Sequence, residues 1–291
     1  MDQVGARAYG MALVTVAAVL WSTGPLFVRL LDLDVWTVLV WRSLFAALSL
    51  TLVVGLQNGR QTIRSVRTIG RPGLVAIPLA AIGMGSYVIA VKLTTVANVM
   101  VVYATVPFVA AGVALLWTGE KAASRVLLAS AIAFVGIVIM AGTATRPQDI
   151  AGNAVAFLMT LAFGTQLVMA RRYPWLEMAS INAIAAAFCA LICLPLATAI
   201  TPSPLQLVIL ALFGATNTAL AFLLFLKGGR YIPSGEAGFI GLIDVLLAPF
   251  WVWLAFAEQP SQAAIVGGGL VLASVLWYLG GERRIKAVHS S

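Results

Sequence analysis

Ten continuous apolar stretches, each near 20 residues long, take up almost the whole of this 291-residue chain. They fall at 9–30, 35–55, 73–91, 96–117, 125–144, 151–170, 179–200, 206–226, 234–256 and 262–281. About 20 apolar residues at a rise of about 1.5 Å each is the length that carries an α-helix across a hydrocarbon core of about 30 Å. Lipid offers no partner for backbone amides, so only helices and closed barrels span it. Barrel strands alternate apolar and polar residues, whereas these runs are continuously apolar, and helices follow. Composition agrees, with 62% hydrophobic and 10% charged residues and a mean hydropathy of +1.02; a soluble domain has about half apolar and a quarter charged. The predicted fold is an all-α integral membrane protein of ten transmembrane helices. The connections are short and leave no room for a soluble domain. The longest polar stretch, Gln57 to Arg71, carries four arginines and no acid.

The formal charge of +8 does not point to nucleic acid, because the bases are spread over the short connections and fit a topology signal. With a cytoplasmic N-terminus, the inner set is Arg7; Arg60, Arg64, Arg67 and Arg71; Lys121 and Arg125; Arg171 and Arg172; Lys227 and Arg230; and Arg283, Arg284 and Lys286. Arg29, Lys92 and Arg146 fall outside, and Arg42 falls within the second helix. Both termini are therefore expected to be cytoplasmic. The first apolar run is too long for a signal sequence and lacks a cleavage site, so it is read as a retained helix. Cys189 and Cys193 share one helix face and cannot meet disulfide geometry; both read as small packing residues. His289 is the only histidine and lies in the polar tail. No metal motif occurs, and no cofactor is expected.

The chain also matches itself. Lys92 to Glu120 slides onto Arg230 to Glu258 without a gap, placing Lys92 on Arg230, Asn98 on Glu236, Ala110 on Ala248 and Glu120 on Glu258. A second offset places Gly10 on Gly152, Thr23 on Thr165 and Arg29 on Arg171. Two repeats of five helices are expected, over 1–145 and 146–291. An odd number forces the second copy to enter the membrane from the opposite side, which makes the repeats inverted about an axis in the membrane plane. That architecture is typical of alternating-access transporters; a ten-helix bundle without transport is the bland alternative.

Polar residues inside apolar runs are the candidate site. Asp244 lies ten residues into helix nine, near the midplane, where an ionised carboxylate costs about 3 kcal/mol or more unless paired, hydrated or protonated. It reads either as a coupling group or as a structural acid capped by a neighbouring helix. Arg42, about 10 Å below the outer surface, has three readings: pairing with Asp244, holding a substrate carboxylate while Asp244 takes an ammonium or proton, or snorkelling and pairing with Asp32 or Asp34. Trp21, Tyr87, Tyr103, Phe163 and Phe222 near mid-depth read as an aromatic cage or as packing, with Trp21 and Phe163 at matching repeat positions. Ser22, Ser86, Asn98, Gln166 and Asn217 need partners on another helix or on a ligand. Trp36, Trp41, Trp251 and Trp253 read as lipid-facing anchors. Pro25, Pro78, Pro107 and Pro195, with Gly83 and Gly85, can bend helices and allow a gate. Glu236, in the first turn of helix nine, suits either capping or substrate contact.

The first helix with LWSTGPLFVRL, the segments VANVMVVYATVPF and RYIPSGEAGFIGLIDVLLAPFWVWLAFAE, and the closing Glu120 and Glu258 resemble the drug/metabolite transporter superfamily. Within it they resemble the ten-helix EamA-type branch, with the nearest likeness to bacterial aromatic amino acid exporters, over essentially the whole chain. The resemblance implies a multi-pass carrier of the cytoplasmic membrane that exports amino acids, aromatic and other neutral ones favoured, or similar small amphiphilic metabolites. Its partners would be a small-molecule substrate and membrane lipid, and a monomer is allowed. Broad drug or metabolite efflux, solute uptake and sugar-phosphate exchange use the same fold; phosphorylated substrates would want several cavity bases, and Arg42 stands alone. An intramembrane enzyme is disfavoured, since neither a GxSxG elbow nor an intramembrane histidine occurs. The branch often has a proline 13 residues before each closing glutamate, as Pro107 stands before Glu120. In the second repeat Val245 takes that place and Asp244 stands where many relatives carry glutamate, which leaves open whether helix nine bends.

Overall fold

The computed structural model describes residues 3–58, 69–119, 124–141, 147–198, 201–232 and 234–289. Glu120, the arginines at 60, 64 and 67, and the side chain of Glu236 lie outside what is described. Helices occupy each of the apolar stretches, and no strand occurs among the described residues. In chain order they are α1 (Gln3–Ser22), α2 (Gly24–Leu30), α3 (Val35–Asn58), α4 (Gly70–Leu93), α5 (Val96–Tyr103), α6 (Val106–Thr118) and α7 (Ser124–Ala141). There follow α8 (Pro147–Arg172), α9 (Met178–Cys193) with a 3₁₀ turn at Leu194–Leu196, and α10 (Pro204–Leu212). A π-helical stretch Phe213–Leu220 runs on into α11 (Ala221–Gly228), and α12 (Ser234–Phe256) and α13 (Gln262–His289) complete the chain. Among the described residues six helices are long and apolar enough to cross a membrane, and seven when α5 and α6, bent by 40°, count as one span.

The interruptions have local causes. Pro25 starts α2 and Pro107 starts α6, because a proline lacks the N–H that would continue the previous helix and is tolerated in a first turn. Pro78 and Pro249 lie inside α4 and α12, which run on past them. The helix left open by the sequence, α12, is therefore continuous, whereas its partner stretch is broken at Ala104–Thr105. Pro195 sits in the 3₁₀ turn that ends the seventh apolar stretch. The π stretch has no proline within it; nothing in the sequence announced it.

Helices approach closely where one of them carries glycine, since dispersion packing rather than water exclusion holds helices together in lipid. A Cβ on Gly136 would lie 2.5 Å from the Gly267 carbonyl oxygen, and one on Gly214 2.5 Å from that of Arg42. Gly10 packs on Tyr231 and Ile232, and Gly152 on Leu93 and Thr94. The main pairings come in matched sets: α4 with α8 and α11 with α1; α6 with α8 and α12 with α1; α9 with α4 and the π stretch with α3; then α3 with α9, α7 with α13 and α5 with α12. The main core lies among these pairs, with Leu39, Val88, Val99 and Phe213 fully buried.

Candidate functional site: a central cavity with a buried base and a buried acid

A cavity of about 150 Å³ lies between the helices. Its walls include Trp21, Arg42, Gly83, Tyr87, Tyr103, Phe163, Gln166, Asn217, Phe222 and Asp244, all singled out above, together with Ala80, Met84, Met100, Met159, Asn182 and Thr218. The elements that bring them together are the α1 C-terminus, α3, α4, α5, α8, α9, the π stretch, α11 and α12. Trp21 stacks at a tilt on Phe225, 5.1 Å between ring centres, and Tyr103 on Phe163 at 5.7 Å.

Arg42 is 3% exposed. Its guanidinium lies 4.9 Å from the centre of the Phe213 ring, and Nη1 donates a long 3.4 Å hydrogen bond to the Met84 carbonyl. Nε is buried without a partner. Arg42 therefore neither snorkels outward nor pairs with Asp34, whose carboxylate is taken up by Thr37 and Thr198. Asp244 is 7% exposed, its Oδ1 buried and unpartnered. It lies within electrostatic reach of the Tyr87 and Tyr103 hydroxyls, and no ion pair joins it to Arg42. Of the readings open for Arg42, direct pairing with Asp244 is not found: Phe213 and the Met84 carbonyl lie against the base instead. Tyr87 Oη and Thr218 Oγ1 are also buried without partners. The arrangement can bind a solute with separated polar groups, since each unsatisfied buried group gains about 1–3 kcal/mol when a partner arrives.

Other candidates lie elsewhere. Ser22 donates to the Val19 carbonyl and accepts from Trp251 Nε1 at 3.0 Å, so neither it nor Trp251 is free for the role expected. Trp36 and Trp41 pack against the core rather than standing in lipid alone; Trp253 is 48% exposed. Ser86 is buried and does not line the cavity, and Gly85 faces open space. Asn98 bonds to Thr94 Oγ1 at 3.2 Å, at the helix ends rather than at the cavity. Asn182 and Thr218 were missed, although each is a polar residue within an apolar run, the same signal that singled out Asn217. No cluster of three or more possible metal ligands occurs among the described residues.

One end of the molecule is tied together by polar contacts. Glu258 accepts from Arg29 Nε and from the Val96 amide, each at 2.8 Å, and Arg29 Nη2 donates to the Thr94 carbonyl at 3.0 Å. Thr94 Oγ1 donates to Asp149, and Lys92 Nζ donates to the carbonyls of Leu31 and Leu33. At the same end Asp34 receives the amides of Trp36 and Thr37 and the hydroxyls of Thr37 and Thr198. Burial pushes its carboxyl up, but these hydrogen bonds outweigh that and hold it at about 2, below the ordinary 3.8.

Long apolar helices gathered around a cavity that buries charges of both signs define a polytopic membrane protein with a candidate solute site inside it. The chain belongs to the EamA-like transporter family, whose model matches it twice, over residues 8–142 and 150–280. As a transporter it lies in lipid and takes a small-molecule substrate. It is 25% identical over 277 residues to an uncharacterized transporter of Archaeoglobus fulgidus, a match covering 92% of this chain and 95% of that one. A solved crystal structure shares the fold, with a TM-score of 0.68 at 16% identity over 96% of this chain and 99% of the other.

Proposed function

We propose that this protein is an alternating-access carrier of the cytoplasmic membrane that exports amino acids, aromatic and other neutral ones favoured, or similar small amphiphilic metabolites. The observation that carries the reading is one cavity holding a buried arginine and a buried aspartate that are not paired with each other, between aromatic walls. Arg42 suits a carboxylate and Asp244 an ammonium. A cavity of about 150 Å³ is large enough for a benzene-sized ring, which fits the side chain of an aromatic solute. Two inverted five-helix repeats are part of the reading. Two observations support them: the twofold family match, and the way Gly10 on Tyr231 and Ile232 repeats Gly152 on Leu93 and Thr94, at positions the two sequence offsets align. The distribution of lysine and arginine supports ten spans with cytoplasmic termini, so that the end closed by Glu258 is external.

Broad efflux of drugs or metabolites is the second reading. Three methionines, Met84, Met100 and Met159, share the cavity wall, and flexible thioethers adapt to varied ligand shapes.

The test is efflux and counterflow of labelled amino acids from proteoliposomes, scanned over aromatic, aliphatic and charged solutes with and without an imposed pH gradient. Movement of aromatic and neutral amino acids, reduced by Arg42→Gln, is the expected result. Movement without a gradient identifies a facilitator, and dependence on the gradient points to Asp244 as proton carrier. No movement of any amino acid sinks the substrate assignment and turns the search to drugs.

A further inference from the structure

Gly24 lies against a wall of the cavity without lining it. Between α1 and α2 the first span is broken at Thr23, and Pro25 has no N–H to give the carbonyl four residues back, that of Trp21. Asn217 supplies the missing donor: its Nδ2 lies 2.9 Å from the Trp21 oxygen and 2.8 Å from the Leu20 oxygen. Asn217 comes from the π-helical stretch, a distortion frequent at functional sites. The break leaves Gly24 facing Tyr87. A Cβ built on Gly24 would overlap the Tyr87 hydroxyl and come within 2.9 Å of Asn217 Nδ2. That hydroxyl is buried without a hydrogen-bond partner, and the ring that bears it is a wall of the cavity.

We propose that Gly24 is a specificity-determining residue of the transport site: its missing side chain seats the Tyr87 ring against the broken first helix and keeps the cavity deep enough for a ring-bearing amino acid. The inference rests on the carrier reading above. A side chain at position 24 meets both the Tyr87 hydroxyl and Asn217, and because Asn217 is held by two carbonyls it is the Tyr87 ring, a wall of the cavity, that gives way. Solutes with large side chains lose room and small ones do not. Gly24 acts through Tyr87 and touches no solute, so it is a positioning residue.

The experiment compares wild type, Gly24→Ala, Tyr87→Phe and the double variant in proteoliposomes, reading KM for phenylalanine and for alanine by counterflow, and the melting temperature of each protein in detergent. Gly24→Ala is expected to raise KM for phenylalanine about tenfold, within the range of penalties for one overpacked methyl group, and to move that for alanine by less than about twofold. The double variant lacks the oxygen that the new methyl group meets, so it recovers most of the phenylalanine KM and most of the melting temperature; Asn217 accounts for the remainder. An equal rise for both solutes, or a double variant as impaired as Gly24→Ala, overturns the proposal. If none of the four moves an amino acid, the substrate reading has failed, and the melting temperatures still decide the seat: recovery in the double variant supports it and no recovery overturns it. If Gly24→Ala does not fold, restored folding in the double variant is the same readout.

Discussion

Glu258 Oε2 lies 2.8 Å from Arg29 Nε, joining the end of α12 to the end of α2, while its other oxygen accepts the Val96 amide at the start of α5. One carboxylate thus ties three helices together at one end of the molecule, with Arg29 adding Thr94 to the set. The pair is 22% exposed on each side, so attraction alone contributes about 0–1 kcal/mol. The amide bond at a helix N-terminus, favourable to a negative charge, adds to it.

Breaking this tie should open that end. Glu258→Gln and Arg29→Gln are expected to lower stability by about 1–3 kcal/mol and to speed labelling of a cysteine placed at Met100 by an impermeant maleimide added from the Glu258 side. Arg29→Lys should be intermediate, since an ammonium cannot reproduce the fork that reaches Glu258 and Thr94 together. Unchanged labelling in all three would show the contact to be a cap and not a closure.

Asp34 gives a pH signature. Its folded carboxyl is held at about 2 against an ordinary 3.8, so its contribution is present above about pH 4 and is lost as pH falls towards 2. Solvent screening reduces that contribution to about 1 kcal/mol. The melting-temperature gap between wild type and Asp34→Asn in detergent should close between pH 4 and pH 2; a gap that persists at pH 2 would assign the stabilisation to something other than ionisation.

Asp244→Asn separates transport from folding. Removing a buried charge relieves a cost of about 3 kcal/mol, so the variant should melt no lower than wild type while transport falls at least about tenfold, the factor that corresponds to 1.4 kcal/mol. A less stable protein with near-normal transport would make Asp244 a structural acid.

Two glycines make a matched pair. Gly214 packs against the backbone of Arg42 and Ala46, with room for no side chain, whereas Gly85 faces open space. Gly214→Val should cost about 1–3 kcal/mol through overpacking and lower the yield of folded protein. Gly85→Ala should be neutral or stabilise by up to about 1 kcal/mol. Thermal melts and folded yield check both, and lost transport in a stable Gly85→Ala protein would give Gly85 the gating role expected of it from sequence.

Much of the candidate site was legible because polar residues in long apolar runs are few and costly. Arg42, Gln166, Asn217 and Asp244 stood out on that ground alone. Ser22 and Asn98 stood out equally, and their partners proved to be within the fold: Ser22 bonds to Trp251, which had read as an anchor, and Asn98 joins Thr94 near the Glu258 contact. Thr218 and Asn182 carried the same signal and were passed over. Depth along a helix follows from counting residues; direction around it does not.

The sequence by itself determined that the chain is helical and membrane-bound and which stretches are apolar enough to be helices, and it marked Pro25 and Pro107, with Pro78 and Pro195, as places where a helix can bend. Length, continuity and missing amides decide those features locally. Only the tertiary structure decided which polar groups meet: Arg42 on Phe213 rather than on Asp244, Asn217 on the carbonyls that Pro25 leaves open, and Gly24 beneath Tyr87. The reason is physical. Lipid and protein interior are about equally apolar, so a membrane helix shows no amphipathic stripe to say which face turns inward. That rotation is settled by close packing and by pairing of the few polar atoms, which involve residues far apart in the chain.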